Sequence, residues 1–111
     1  MRLEEACESF LSRCFALNLV EGSVIWYRHI LKDMAASLAA RGAKELAEVT
    51  APLLRDHLTS LRRRGQASET VFRSYGGMRC AFRFWLREGA ISSNPMELVE
   101  RPRRERTLIR P

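Results

Sequence analysis

Two glycines, Gly65 and Gly89, bracket a stretch that reads as unbroken helix. Helices very commonly end on a left-handed glycine, so each marks a stop. Between them Val71, Tyr75, Met78, Phe82, Trp85 and Leu86 recur at helical spacing and predict a core stripe. At 100° per residue, Arg73, Arg79, Arg83 and Arg87 gather in one arc centred roughly 130° from that stripe. Gly76 and Cys80 fall in the same arc and leave low relief between the arginines. Such a helix must bury one face and can offer the other to an anion. The competing reading is a solvated charged face balanced by Glu69 and Glu88.

The other helices follow from the same signals. Leu3, Ala6, Phe10, Leu11, Cys14 and Leu17 predict a first helix over 3–17, with Glu4, Glu5 and Glu8 in its early turns. Asn18–Gly22 reads as a break, after which Ser23 caps a second helix to Arg41 with Gly42 as its stop. Its stripe is Val24, Tyr27, Ile30, Leu31, Met34 and Leu38. Residues 43–49 connect, with Leu46 and Val49 turned inward. Thr50 caps a third helix, Pro52 sits in its first turn, and Leu54, His57, Leu58 and Leu61 face inward. Ser68 is expected to cap the fourth, and Met96–Val99 a short fifth piece. No stretch alternates like a strand. Short connections between amphipathic helices predict an all-α, compact four- to five-helix bundle.

At 111 residues the chain holds one domain, expected over 1–100, followed by a basic linker over 101–111. That linker holds Arg101, Arg103, Arg104, Arg106 and Arg110 against Glu105, and so carries +4 of the net charge of +6. All basic residues except Lys32 and Lys44 are arginines, whose planar fork suits phosphate. Cys7, Cys14 and Cys80 show no paired spacing and read as reduced thiols. No leader and no long apolar run is legible, so the expected location is the cytoplasm. Metal, cofactor and catalytic constellations are not expected. His57 lies on an apolar stripe and reads as a core histidine, and His29 lies off its stripe. Gly76-Gly77 in mid-helix points to close packing of a neighbouring helix or of DNA. Ile25, Trp26 and Phe72 fall off the stripes. They either pack on the first helix or reach a partner.

In order and spacing these motifs resemble the N-terminal core-binding (SAM-like) domain of the tyrosine recombinases, the phage-integrase family. The resemblance rests on Leu38-Ala-Ala-Arg-Gly-Ala-Lys-Glu-Leu-Ala-Glu-Val-Thr50 and Leu58-Thr-Ser-Leu-Arg-Arg-Arg-Gly65. Thr70-Val-x-Arg73, Met78-Arg-x-x-Phe82-Arg-Phe and Arg87-Glu-Gly-x-Ile91-x-x-Asn-Pro95 complete it. It implies half of a clamp on double-stranded DNA, with the second and fourth helices toward the major groove. The implied contacts are Ser23, Ile25, Trp26, Arg28, His29 and Lys32 on the second helix. On the fourth they are Ser68, Thr70, Arg73, Ser74, Arg79 and Arg83, with Arg62, Arg63 and Arg64 adding non-specific attraction. The chain departs from the family at Val20-Glu-Gly-Ser23, at Ser68 in place of proline, at Phe72 and at Gly76-Gly77. The family's His-x-x-Arg and tyrosine nucleophile have no counterpart here. The resemblance therefore implies a DNA-binding module without catalysis, partnered by the catalytic domain of the same full-length protein and by neighbouring protomers. The rival expectation is a helical protein-interaction module without DNA affinity, anchored on Trp26 and Phe72.

Overall fold

The computed structural model describes residues 1–104. Of the linker expected over 101–111, residues 105–111, with Arg106 and Arg110, lie outside the described residues. The elements in order are α1 (Leu3–Ala16), α2 (Glu21–Ala40), a 3₁₀ turn (Leu46–Glu48), α3 (Ala51–Arg63), α4 (Ser68–Arg87) and a second 3₁₀ turn (Pro95–Leu98). No strand is found among the described residues; one isolated bridge joins Arg2 to Glu45. The all-helical expectation holds.

The glycine stops work as the sequence implies. Gly42, Gly65 and Gly89 have φ of +94°, +83° and +77°, a region that costs other residues energy. Thr50 caps α3, its hydroxyl accepting the Leu53 N–H at 3.5 Å. The other two expected caps are displaced. α2 begins at Glu21 after Val20, so Ser23 lies inside its first turn. α4 begins at Ser68 itself after Ala67, so Ser68 is the first helical residue.

α4 is the central element, in contact with α1, α2, α3 and the closing 3₁₀ turn. Because neighbours surround it, its buried arc is wider than the expected stripe and takes in Ser74, Gly77, Ala81 and Phe84. Leu86 sits at the far edge of that arc and is exposed, contrary to expectation. Fully buried Trp85 donates its indole N–H to the Ala6 carbonyl of α1 at 2.8 Å. Phe82 packs edge-on against Trp85 at 4.7 Å, and Phe10 meets Tyr27 and Phe84 at 5.3 and 5.8 Å. The expected inner faces of α1 and α3 are buried, except Leu17, which is exposed beyond the end of α1. On α2 the stripe is buried from Ile30 onward, while Val24 and Tyr27 are half-buried.

Gly77 explains part of the helix-breaking pair. A Cβ there would lie 3.1 and 3.2 Å from two methyls of Ile30 on α2. Its missing side chain is what lets α2 lie close to α4. At Gly76 a Cβ would meet nothing within 4 Å, and the packing gives no reason for that glycine.

Candidate nucleic-acid interface

The close approach at Gly77 leaves a groove one turn nearer the start of α4. One wall carries Trp26 and His29 of α2; the other carries Thr70, Arg73 and Ser74 of α4. A shallower extension adds Gly22 and Ser23 beside Trp26 and Arg73. Six of the expected residues thus meet: Ser23, Trp26, His29, Thr70, Arg73 and Ser74. Ser74 is nearly buried and forms floor, not contact surface. Trp26 is half-buried, its ring 5.2 Å from Tyr27. Arg73 reaches back to Glu69 at 3.3 Å, an exposed i,i+4 pair. Such a pair is worth about 0–1 kcal/mol, so a phosphate can compete for the guanidinium. Asp33 at the groove's end is held by Arg64 at 2.8 Å, which ties α2 to the α3–α4 turn.

The remaining expected residues lie elsewhere. Arg28 points to α1 and pairs with Glu8 at 2.7 Å. Ile25 and Lys32 are exposed and line neither the groove nor its extension. Arg63 is exposed at the end of α3. Arg62 and Ser68 line a larger cavity on the opposite flank of α4. Arg79 and Arg83 line a third hollow with Tyr75, Asn94, Glu97 and Arg101. The single arginine arc of the helical wheel is therefore shared among surfaces, because neighbouring elements pack into it.

Phe72 neither packs on α1 nor stands free as an anchor. Residues after Val99 cross it, with the Arg104 guanidinium 4.2 Å and that of Arg101 5.9 Å from the ring centre. Arg104 also pairs with Glu69 at 3.2 Å. The cavity beside this crossing brings in Arg55 and Thr59, which were not expected. Their signal is in the sequence: 55, 59 and 62 are spaced i, i+4, i+7, a stripe beside the buried 54-58-61 face.

The titratable groups of the interior suit packing rather than chemistry. His57 is buried, its Nδ1 has no partner among the described residues, and burial pushes its pKa down to about 4. Asp33 opposes that fall, while Arg64 and Arg41 add to it. Burial, then Glu8 and Glu4, pushes the Cys7 thiol up to about 12, and burial also raises Cys14. Tyr27 is pushed up to about 12, first by burial and then by its hydrogen bond to Cys80. Tyr75 is buried and donates to the Val99 carbonyl at 3.4 Å. No group of three His, Cys, Asp or Glu is placed to hold a metal among the described residues. Nor is any helix among them long and apolar enough to cross a membrane.

No protein-family model matches the chain. It is 33% identical to the tyrosine recombinase XerD of Agrobacterium fabrum over 98 residues, which is 87% of this chain and 29% of that protein. It is 29% identical to the tyrosine recombinase XerC of Anoxybacillus flavithermus over 91 residues, or 82% of this chain and 30% of that protein. The chain thus spans about 30% of the length of the curated relatives it matches. Among solved structures it superposes on a lambda integrase dimer bound to a COC′ core site. There the TM-score is 0.82 at 16% identity, covering 95% of this chain and 37% of that one. The integrase from mycobacterium phage Brujita gives 0.71 at 21% identity, covering 95% and 34%. The structural likenesses show that the chain shares its helical fold with part of those integrases.

Proposed function

Starting from its kinship with the tyrosine recombinases, we propose that this chain is the DNA-holding module of a site-specific recombinase. The observation that carries the reading is the convergence of Ser23, Trp26, His29, Thr70 and Arg73 from two helices on one groove. The first turn of α4 ends beside it. Helix amide groups, hydroxyls and one guanidinium suit a phosphate backbone, and Arg73 is long enough to reach a base edge. The bundle would occupy 1–100, and the basic linker from 101 would lead to a catalytic domain. Strand cleavage would belong to that domain. The solved lambda integrases, as a dimer on a core site and as a tetramer on a Holliday junction, support duplex DNA and neighbouring protomers as partners.

The test is fluorescence anisotropy on a generic duplex of about 30 base pairs at two salt concentrations. Binding should weaken with salt. Arg73→Ala should lower the salt slope by about 0.9 if the contact is to phosphate. It should instead cost about 1–3 kcal/mol at preferred sites if the contact is to a base. A folded chain that ignores DNA at low salt defeats the reading. One observation favours the rival reading, an interaction module: Phe15, Leu17, Leu19 and Val20 form an exposed apolar knuckle at the α1–α2 turn. Its anchors would lie there, not at Phe72, which Arg104 covers.

A further inference from the structure

Among the described residues, Glu69 is the only carboxylate paired with two arginines. It stands in the first turn of α4, where the helix dipole favours an anion. From the groove side Arg73 donates its Nε–H to Oε1 at 3.3 Å. From the other side Arg104 sets Nε 3.2 Å from Oε2 and donates from Nη2 to the same Oε1 at 3.3 Å. Arg104 therefore holds both oxygens in a fork, and Arg73 competes for one of them. This shared carboxylate is also the outermost anchor of the segment after Val99. As far as Val99 the chain is tied down through its backbone: Arg55 donates to the Leu98 carbonyl at 3.0 Å and Tyr75 to the Val99 carbonyl at 3.4 Å. Residues 100–104 make no backbone hydrogen bond among the described residues. Side chains hold them instead, Arg101 and Arg104 over the Phe72 ring and Arg104 on Glu69.

Two guanidinium groups on one carboxylate repel each other and divide its lone pairs, so each pair is weaker than it would be alone. Neutralising or withdrawing Arg73 removes the repulsion and leaves both oxygens to Arg104. A phosphate that takes Arg73 in the groove does both. The effect is reciprocal, so Arg104 seated on Glu69 leaves Arg73 freer to meet an anion. The carboxylate and both guanidiniums are about half exposed, which limits the coupling to about two- to five-fold. We propose that Glu69 is a positioning residue that passes occupancy of Arg73 on to the segment after Val99, which docks more firmly on α4 when the groove holds a phosphate. The DNA-holding reading supplies the phosphate; the sharing of Glu69 stands on the contacts alone. In that reading the segment leads to the catalytic domain, so its grip on α4 limits how far that domain can swing from the bundle while DNA is held.

The experiment follows the Arg104 Nε–H by nitrogen-15 NMR, reading its exchange with water at low ionic strength, because salt screens exposed pairs. Wild type, Arg73→Ala and Glu69→Gln are compared with and without a generic duplex, and circular dichroism checks that each is folded. All three side chains concerned are exposed, so both variants are expected to keep the bundle. Without DNA, Arg73→Ala should slow the exchange about two- to five-fold, and Glu69→Gln should quicken it by a similar factor. Duplex added to wild type should slow it as Arg73→Ala does, and duplex bound to Glu69→Gln should leave it unchanged. A purely structural Glu69 would pass the quickening and fail the other three arms. Unchanged exchange in Arg73→Ala overturns the sharing, whatever the duplex does. Slowing by duplex that survives in Glu69→Gln comes from DNA touching the segment itself and overturns the proposal too. If no duplex binds to wild type, the DNA-holding reading fails and takes the phosphate step of this proposal with it, while the Arg73→Ala result still decides the sharing on its own.

Discussion

Gly76 and Gly77 are neighbours in one helix with the same intrinsic penalty, so replacing each by alanine separates helix propensity from packing. Both lie outside the positive-φ region, and neither substitution strains the backbone. Alanine recovers about 0.8–1 kcal/mol of helix propensity at either site. At Gly76 the new methyl meets nothing within 4 Å, so that gain stands alone. Gly76→Ala should raise Tm by about 4–8 °C per kcal/mol for a domain of this size. At Gly77 the methyl would come to 3.1 Å from Cδ1, 3.2 Å from Cγ2 of Ile30 and 3.5 Å from Tyr27. Only χ1 moves both Ile30 methyls together, and that torsion is stiff in a β-branched residue on a helix and hemmed in by burial. Overpacking of that kind costs about 1–3 kcal/mol. The net effect of Gly77→Ala is then about 0–2 kcal/mol destabilising, and its Tm should lie below that of Gly76→Ala by the full packing term. Urea and thermal unfolding of both variants decide it. Because the contact sets the spacing of α2 and α4, Gly77→Ala should also weaken DNA binding at the groove. Equal stabilisation by the two substitutions would refute the claim that Gly77 is there for Ile30.

Two further outcomes follow from the interior and from the segment after Val99. His57 has its folded pKa depressed from 6.5 to about 4, so the unfolded chain takes up the proton first as pH falls. Its neutral form carries no penalty at pH 7, and stability is lost between about pH 6.5 and 4, by up to about 3 kcal/mol. Urea unfolding of wild type and His57→Leu across that range should show the gap between them change by that amount; parallel pH profiles would refute it. Phe72→Ala removes the ring beneath Arg104 and Arg101, contacts worth about 0.5–1 kcal/mol each at an exposed site. Amide exchange over 99–104 should quicken several-fold with helicity unchanged, and unaltered exchange would show that Phe72 does not hold that segment.

Most of the bundle is legible in the sequence because its signals are local. A glycine at a helix end needs φ above zero whatever surrounds it, and Gly42, Gly65 and Gly89 all comply. Thr50 is a reliable cap because Pro52 follows inside the first turn, where a missing N–H costs nothing. Ser23 and Ser68 mislead for the opposite reason. Nothing before them forbids helix, and the chain enters α2 three residues early and α4 one residue early. The site was less legible because it depends on which helices touch. A wheel places Arg73, Arg79 and Arg83 in one arc. The bundle separates them, since α2 packs on one side of α4 and the closing 3₁₀ turn on the other. Phe72 was unreadable for the same reason: what covers it is supplied from beyond position 100.

The distribution of unpaired arginines argues against the bland reading of the basic surface. A solvated charged face would intersperse its cations with carboxylates, as Arg28 with Glu8 and Arg64 with Asp33 do. Of the arginines without an ion pair among the described residues, Arg2, Arg13, Arg41 and Arg87 are scattered, while Arg55, Arg62, Arg63, Arg79, Arg83, Arg101 and Arg103 group together. The grouped set lies at the α3–α4 turn or along the hollows on either side of the segment after Val99. Glu69 is shared between Arg73 and Arg104, one from each flank of α4. One carboxylate between two cationic flanks leaves both under-neutralised. Like charges on both flanks raise the local potential there, which attracts an extended anion more than it would an isolated one. A protein anchor of single acidic residues would satisfy one flank.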